Sequence, residues 1–306
     1  MEYHIYKLSF HYGVHFGETR LESAAMTFQA DRLFSALCME ALTIGEAALE
    51  KLVSLAQDGR IVFSDAFPYA EKEYFLPKPL IRVEGESSDD PRQRKRFKKL
   101  EYVPMHLFGK YIEGKCTIQE LESPAFGIYD TKTSVYLEPG KDAEPYRIGV
   151  FAFHENCGLY FFVGYEEKQD LHFVEELLEM LAFSGIGGRR VSGLGRFELH
   201  PGKVQEDILA SLKNEYETYM SLSISLPQSE EMDFAVEGAR YLLLKRSGFV
   251  ASENYAPEFR HKRDIYAFSA GSCFVHKFSG GVRDVSNGGN HPVYRYLKPM
   301  FMGIRK

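Results

Sequence analysis

The chain has no tryptophan, no Cys-X-X-Cys pair and no Gly-Lys-Ser/Thr phosphate loop. It also has no apolar run long enough to span a bilayer. Each absence removes a class of function. Its four cysteines, Cys38, Cys116, Cys157 and Cys273, lie far apart, which excludes a zinc knuckle and a disulfide framework. No metal and no cofactor are expected. No Ser-His-Asp arrangement can be argued, so serine-type acyl transfer has no support. The first residues show no basic segment leading into an apolar one, the mark of a secretion signal. A reducing cytoplasm and no membrane partner are expected.

What is present is globular. Of 306 residues, 44% are hydrophobic and 26% charged. Net charge is −6, with 43 acidic against 37 basic residues, which argues against a general nucleic-acid coat protein. A local site remains open, because steering follows the local potential as well as the total. The bases are indeed clustered. Arg92 to Lys99 holds six cations in eight residues, just after the acidic stretch from Glu84 to Asp90. It reads as an RNA-backbone contact or as a solvated helix face. With 24 Phe and 19 Tyr there are rings to spare for base stacking, although most must be core.

The densest motif runs from Ser184 to Phe197. Gly185, Gly187, Gly188, Gly193 and Gly195 alternate with Arg189, Arg190 and Arg196, and Ser192 adds a hydroxyl. Glycine admits positive φ and close ligand approach. Successive exposed N–H groups would make an anion cradle, and arginine forks match phosphate. A phosphate-rich partner follows. The loop succeeds a helical pattern and leads into a strand, the reverse of a dinucleotide fingerprint. The bland alternative is a flexible turn with solvated arginines.

Periodicity organises the rest. Tyr6, Leu8, Phe10 and Tyr12 alternate as a half-buried strand. Helical spacing begins near Ala30, with Asp31 as a stabilising first-turn charge, and a second helix runs from Gly45 to Ala56. Ile61–Asp65 is a short strand. Phe75 to Leu80, with two prolines, cannot be helix, and residues 82–102 form an exposed excursion. Residues 129–153 form a long hairpin turning at Pro139-Gly140. A strand over Gly158–Tyr165, a helix through Leu171–Leu181 and a strand at Arg196–His200 complete a βαββαβ plan. The last third is strand-rich, with a tight hairpin expected at Ser279-Gly280-Gly281. The fold class is α+β, with two ferredoxin-like or RRM-like units: residues 1–200, carrying the basic insert and the hairpin, and residues 201–306.

Further candidates cluster at element ends. His15 follows the first strand and suits a phosphate contact, a strand cap or an acid/base role. Arg32 opens the first helix, where an anion would be favoured. Lys245, Arg246 and Ser247 end an apolar strand, and Tyr294–Pro299 repeats the alternation of rings and cations.

These residues resemble a known family, the fourth subunits of type III-A CRISPR–Cas Csm effector complexes, within the RAMP superfamily. The resemblance rests on His15-Phe16-Gly17, Thr27 to Leu37, Asp65 to Pro68, Phe75 to Pro79, Ser184 to Phe197, Lys245 to Phe249 and Tyr296 to Phe301. It implies an RRM-like RAMP fold with a lid and a thumb at residues 129–153. It implies a subunit that binds the 5′ repeat-derived handle of crRNA and presses on the crRNA–target RNA duplex. Its partners would be the large polymerase/cyclase-like subunit and a neighbouring backbone RAMP subunit. Implied RNA contacts are the glycine loop, His15, Arg32, Lys78, Lys245, Arg246 and Ser247. Backbone RAMP subunits cut target RNA with an aspartate between the first strand and the first helix. Here Glu18 to Gln29 holds no aspartate, so no cleavage is expected. The alternative is a metal-independent crRNA-processing endoribonuclease using His15.

Overall fold

A computed structural model describes all residues except 19, 84–89, 137–141, 251, 253, 257, 259 and 306. The acidic stretch at 84–89 and the turn expected at Pro139-Gly140 lie outside the described residues. The N-terminal part begins with β1 (Glu2–Ser9), two short strands β2 (Phe16–Gly17) and β3 (Ala24–Ala25), α1 (Ala30–Ile44) and α2 (Glu46–Gln57). It continues through β4 (Ile61–Phe63), β5 (Phe67–Ala70), β6 (Glu73–Pro77), α3 (Pro91–Lys99), β7 (Tyr102–Pro104) and α4 (Phe108–Ile112). The hairpin β8 (Gly127–Tyr136) and β9 (Glu144–Phe153) follows, then β10 (Cys157–Tyr165), α5 (Lys168–Ser184) and β11 (Glu198–Gly202).

The sheet order is β11-β1-β10-β5-β6-β7, with β4 also paired to β10. If β4 and β5 count as one interrupted strand, the first four positions give the antiparallel order of a βαββαβ unit. The expected plan is therefore present, with β6 and β7 extending it. Side chains of β10 alternate between two cores, the period-2 rule of a strand buried on both faces. Leu159, Phe161 and Val163 meet Leu33, Phe34 and Leu37 of α1 and Leu177, Leu178 and Leu181 of α5. Tyr160 and Phe162 face a second core with Ile5, Val103, Met220 and Met302. Each such ring or leucine contributes about 1.5–3 kcal/mol by leaving water.

The first strand is shorter than its alternation suggests. It stops at Ser9, Phe10 stays buried, and Tyr12 is exposed. The excursion at 82–102 contains α3 and the first residue of β7 and is not wholly exposed, because Phe97 turns into the second core.

The C-terminal third holds α6 (Glu206–Lys213), β12 (Thr218–Ser221), α7 (Met232–Val236), β13 (Leu243–Arg246), β14 (Ile265–Phe268), β15 (Cys273–Phe274), β16 (Gly281–Asp284), β17 (Tyr294–Leu297) and β18 (Phe301–Ile304). It makes three small antiparallel sheets, β15-β12-β18, β13-β14 and β16-β17. β17 packs on α1 and β16 on α2. Tyr296 is fully buried, and its hydroxyl accepts from Phe63 N at 2.9 Å. The hairpin expected at Ser279-Gly280-Gly281 is absent, since β16 pairs with β17 and β15 with β12. The N–H groups of Ser279 and Gly280 go instead to the Glu231 carboxylate, and Val282 N reaches Gln57 Oε1. That bonding draws the chain away from β15.

Candidate nucleic-acid interface

α5 ends where Gly185 takes φ +83°, and the chain enters the glycine loop. Gly187, Gly193 and Gly195 also have positive φ, and Arg189 is left-handed at φ +60°. The loop is tied to itself and to the segment after β1. Ile186 N donates to Gly195 O, Gly188 N to His15 O, and Gly195 N to Gly13 O. Ser192 N and Gly193 N close a short helical turn onto Arg189 and Arg190. Several of the expected free N–H donors are thus occupied. Its glycines serve close packing and turns: a Cβ on Gly195 would stand 2.1 Å from Ile186 O, and one on Gly188 2.7 Å from His15 Cδ2.

This contrast makes a prediction. Gly193→Ala meets no atom within 4 Å and should cost only the left-handed penalty, about 1–2 kcal/mol. Gly195→Ala adds a backbone clash at φ +78° and should cost about 2–3 kcal/mol or more. Thermal unfolding of both variants checks the order.

The frame fixes where the side chains go. Arg189 and Arg196 project into solvent, with no carboxylate partner among the described residues. The Arg189 guanidinium lies 5.0 Å from the ring centre of Tyr146 on the thumb. Arg190 is half-buried, 3.8 Å from Glu40, which also accepts from Ser184 Oγ. Ser192 Oγ donates to Arg189 O. His15 is buried, and its Nδ1 lies 2.6 Å from Gly149 O. A carbonyl only accepts, so Nδ1 carries the proton. The ring is a strut between loop and thumb base, packed against Gly188 and Gly17.

Arg32 joins this frame by donating to Gly17 O at 3.0 Å, with its guanidinium near the Phe16 ring. Beside it lies a dense charge cluster. Asp31 is buried and accepts two bonds from Arg246, at 2.8 and 2.9 Å, and one from Arg295. Lys262 and Arg32 complete four cations around one carboxylate. Burial and the Arg246 charge lower Arg32 to about 10, which leaves it charged at neutral pH. Burial and Arg295 lower Lys262. Asp31, although buried, is held below its ordinary value by Arg246 and Arg295. The buried Arg295 Nε has no hydrogen-bond partner. Cations outnumber carboxylates here even with Glu18 near Arg32 and Asp65 near Asp31, and such an excess attracts phosphate.

One expectation is corrected here. Asp31 is not primarily a helix-end charge, because its oxygens go to two arginines of the last third. The first N–H of α1, on Ala30, is capped by Asp65 Oδ1 at 2.8 Å. Asp65 Oδ1 also accepts from Ile224 N at 2.8 Å.

The structure brings His15, Arg32, Arg246 and the glycine loop into one neighbourhood. It spends Arg246 on Asp31. Lys245 pairs with Asp264 at 2.6 Å and, like Ser247, is exposed on the β13 side. Lys78 lies elsewhere, with its Nζ on Phe97 O at the end of α3. Sequence reading passed over Arg295, Lys262, Tyr146 and Gly149 as site residues. Arg295 had a signal in the ring-and-cation alternation of Tyr294–Pro299, and Lys262 sits in the basic run from Arg260 to Arg263. Tyr146 and Gly149 had none. Among the described residues, no group of His, Cys, Asp and Glu is placed to hold a metal ion, and no helix is long and apolar enough to cross a membrane.

Comparison with known proteins follows the same lines. The RAMP superfamily model matches residues 54–198, and the CRISPR Csm4 C-terminal domain model matches residues 214–304. The CRISPR system Cms protein Csm4 of Mycobacterium tuberculosis (strain CDC 1551 / Oshkosh) is 38% identical over 293 residues, 95% of this chain and 94% of that protein. The Streptococcus thermophilus protein of the same name is 34% identical over 313 residues, 99% of each. The chain belongs to the Csm4 family. Solved structures agree on the Csm4 fold. A chain of the Csm3-Csm4 subcomplex in the type III-A CRISPR-Cas interference complex superposes with a TM-score of 0.70 at 18% identity, covering 99% of this chain and 100% of that one. A chain of the Csm1-Csm4 cassette in complex with AMPPNP gives 0.66 at 20% identity, covering 99% and 98%. The α+β RAMP fold expected from sequence is that of this family.

Proposed function

We propose that this chain is an RNA-binding structural subunit of a type III-A CRISPR–Cas interference complex in antiviral defence. In this reading it binds the 5′ repeat-derived handle of crRNA. It docks the large polymerase/cyclase-like subunit and a neighbouring backbone RAMP subunit, and its thumb meets the duplex of crRNA with target RNA. The observation that carries the reading is the cationic excess: Arg32, Arg246, Arg295 and Lys262 around Asp31, beside solvent-facing Arg189 and Arg196. The assemblies named for its relatives, one with Csm1 and one with Csm3, support the two protein partners. Residues 1–200 and 201–306 serve as two units joined through shared cores and the Asp31 cluster. Their place of work is the cytoplasm.

We propose no catalytic role. His15 Nδ1 is committed to Gly149 O, and the ring is buried, which disfavours the endoribonuclease alternative. The segment between β1 and α1 offers Glu18 and Glu22 but no aspartate.

The test is fluorescence anisotropy of the purified protein with a labelled handle RNA and a scrambled one across a salt series. A salt-sensitive preference for the handle is expected. Arg189→Glu should weaken handle binding and make the salt slope shallower by about 0.7, the value of one phosphate contact on a single strand. An unchanged slope would remove Arg189 from the interface. Precursor crRNA cut by the purified protein without metal would overturn the non-catalytic reading.

A further inference from the structure

The basic helix α3 is not used by the site above. Its nine residues carry six cations and no acid. Asp90 caps it by accepting from Arg92 N, and Lys78 caps its other end on Phe97 O. Phe97 anchors it in the second core, so the cations are held on a fixed, folded surface. Among the described residues, Arg96 pairs with Glu122. Arg92, Arg94, Lys95, Lys98 and Lys99 stand exposed, with no carboxylate partner among the described residues. Exposed like charges on one short helix repel each other. Such a surface is satisfied by a polyanion.

A groove of about 350 Å³ opens beside the helix. Lys99 and Arg96, the latter paired with Glu122, lie on its rim with Glu101, and Met26, Tyr102, Ile118 and Phe126 form much of the floor. The volume lies at the small end of ligand pockets, about 300–1,000 Å³. Cations along an aromatic, apolar slot are the two parts of a single-strand nucleic-acid site: phosphates on the cations, a base against the rings. A duplex would keep its bases stacked and leave the slot unused. An acidic protein would use the charges and has no need of the rings. The slot lies at the root of the thumb, since Phe126 immediately precedes β8.

We infer that α3 and this groove form a second RNA contact, sequence-tolerant and specific for single strands. It reaches beyond handle recognition and does not rest on it. The probe is a labelled oligouridylate, which carries no handle sequence, so this inference and the handle reading fail separately. The variant is Arg92→Glu/Lys95→Glu/Lys99→Glu, which leaves Phe97 in place. Affinity for oligouridylate should fall at least tenfold, and the salt slope should become shallower by about 2, three contacts at about 0.7 each. Photo-crosslinking of a 4-thiouridine oligomer to the wild type should mark peptides that contain Tyr102 or Phe126. Unchanged affinity and slope would overturn the proposal. So would crosslinks confined to the glycine loop. Polyglutamate binding as tightly as oligouridylate, with no crosslinks at the groove, would assign the surface to an acidic protein and also overturn it.

Discussion

Replacing Asp31 with alanine should lower the unfolding free energy by about 3–5 kcal/mol, the usual cost of stripping one partner from a buried ionic cluster. The carboxylate is 3% exposed and stands among Arg246, Arg295, Arg32 and Lys262. Without it, at least two guanidinium groups remain buried beside each other with no counter-charge. The damage reaches past α1, because Arg246 ends β13 and Arg295 lies in β17, so the cluster joins the helix to the last third of the chain. Urea unfolding of the variant should show a lower midpoint. The sign of the pH response is fixed by the direction of the shift. Arg246 and Arg295 hold the folded carboxyl below its ordinary value. This stabilisation is therefore complete above about pH 4 and is lost as pH falls further, through the folded value. Asp31→Ala should lose this contribution to the acid response, leaving that of other lowered carboxyls such as Asp284 and Glu231. An Asp31→Ala protein with an unchanged midpoint would show that anions from the buffer or mobile side chains neutralise the cluster, and the tie between the parts would lose its basis.

The same cluster shows what a sequence can and cannot display. Periodicity carried the βαββαβ unit, because a strand buried on one or both faces and a helix with one apolar face write themselves in local spacing. β1, α1, β10 and α5 were legible for that reason. The glycine loop was legible as a motif, since glycines and arginines in that density stand out in any sequence. Its mechanism was not. The N–H groups that tie the loop down could not be read, because two of their acceptors, Gly13 O and His15 O, lie more than 170 residues away in the chain. Asp31 was misread on the same ground. A carboxylate in the first turn of a helix has a sufficient local explanation, and its true partners are 215 and 264 residues distant. The hairpin at Ser279-Gly280-Gly281 failed because a glycine pair signals a turn but does not choose which strands it joins. Asp65 offered nothing locally, although it caps α1 from 35 residues away.

Asp65→Asn should make the protein more stable above neutral pH and flatten its pH profile between about pH 4 and about pH 7. Asp65 is buried and accepts from Ala30 N and Ile224 N through Oδ1. Two N–H donors and a helix start favour the carboxylate, but full burial, with the Asp31 charge adding to it, outweighs them and pushes the group up to about 7. A raised value means that the folded protein holds a proton the unfolded chain has released. Stability therefore declines as pH rises from the unfolded value, about 4, to about 7, and the deficit is complete above that. The deficit is on the order of 4 kcal/mol, with a tenfold change in proton affinity worth about 1.4 kcal/mol. Asparagine keeps an acceptor for both N–H groups and carries no charge, so the cap survives while the penalty disappears. The response is opposite to that of Asp31, and the two residues separate cleanly: one acts below about pH 4, the other between about 4 and 7. Unfolding curves of wild type and Asp65→Asn should converge near pH 4 and diverge as pH rises, with the variant above. Divergence with the variant below would mean that the helix start and its N–H donors win over burial, and Asp65 would be an ionised cap at neutral pH.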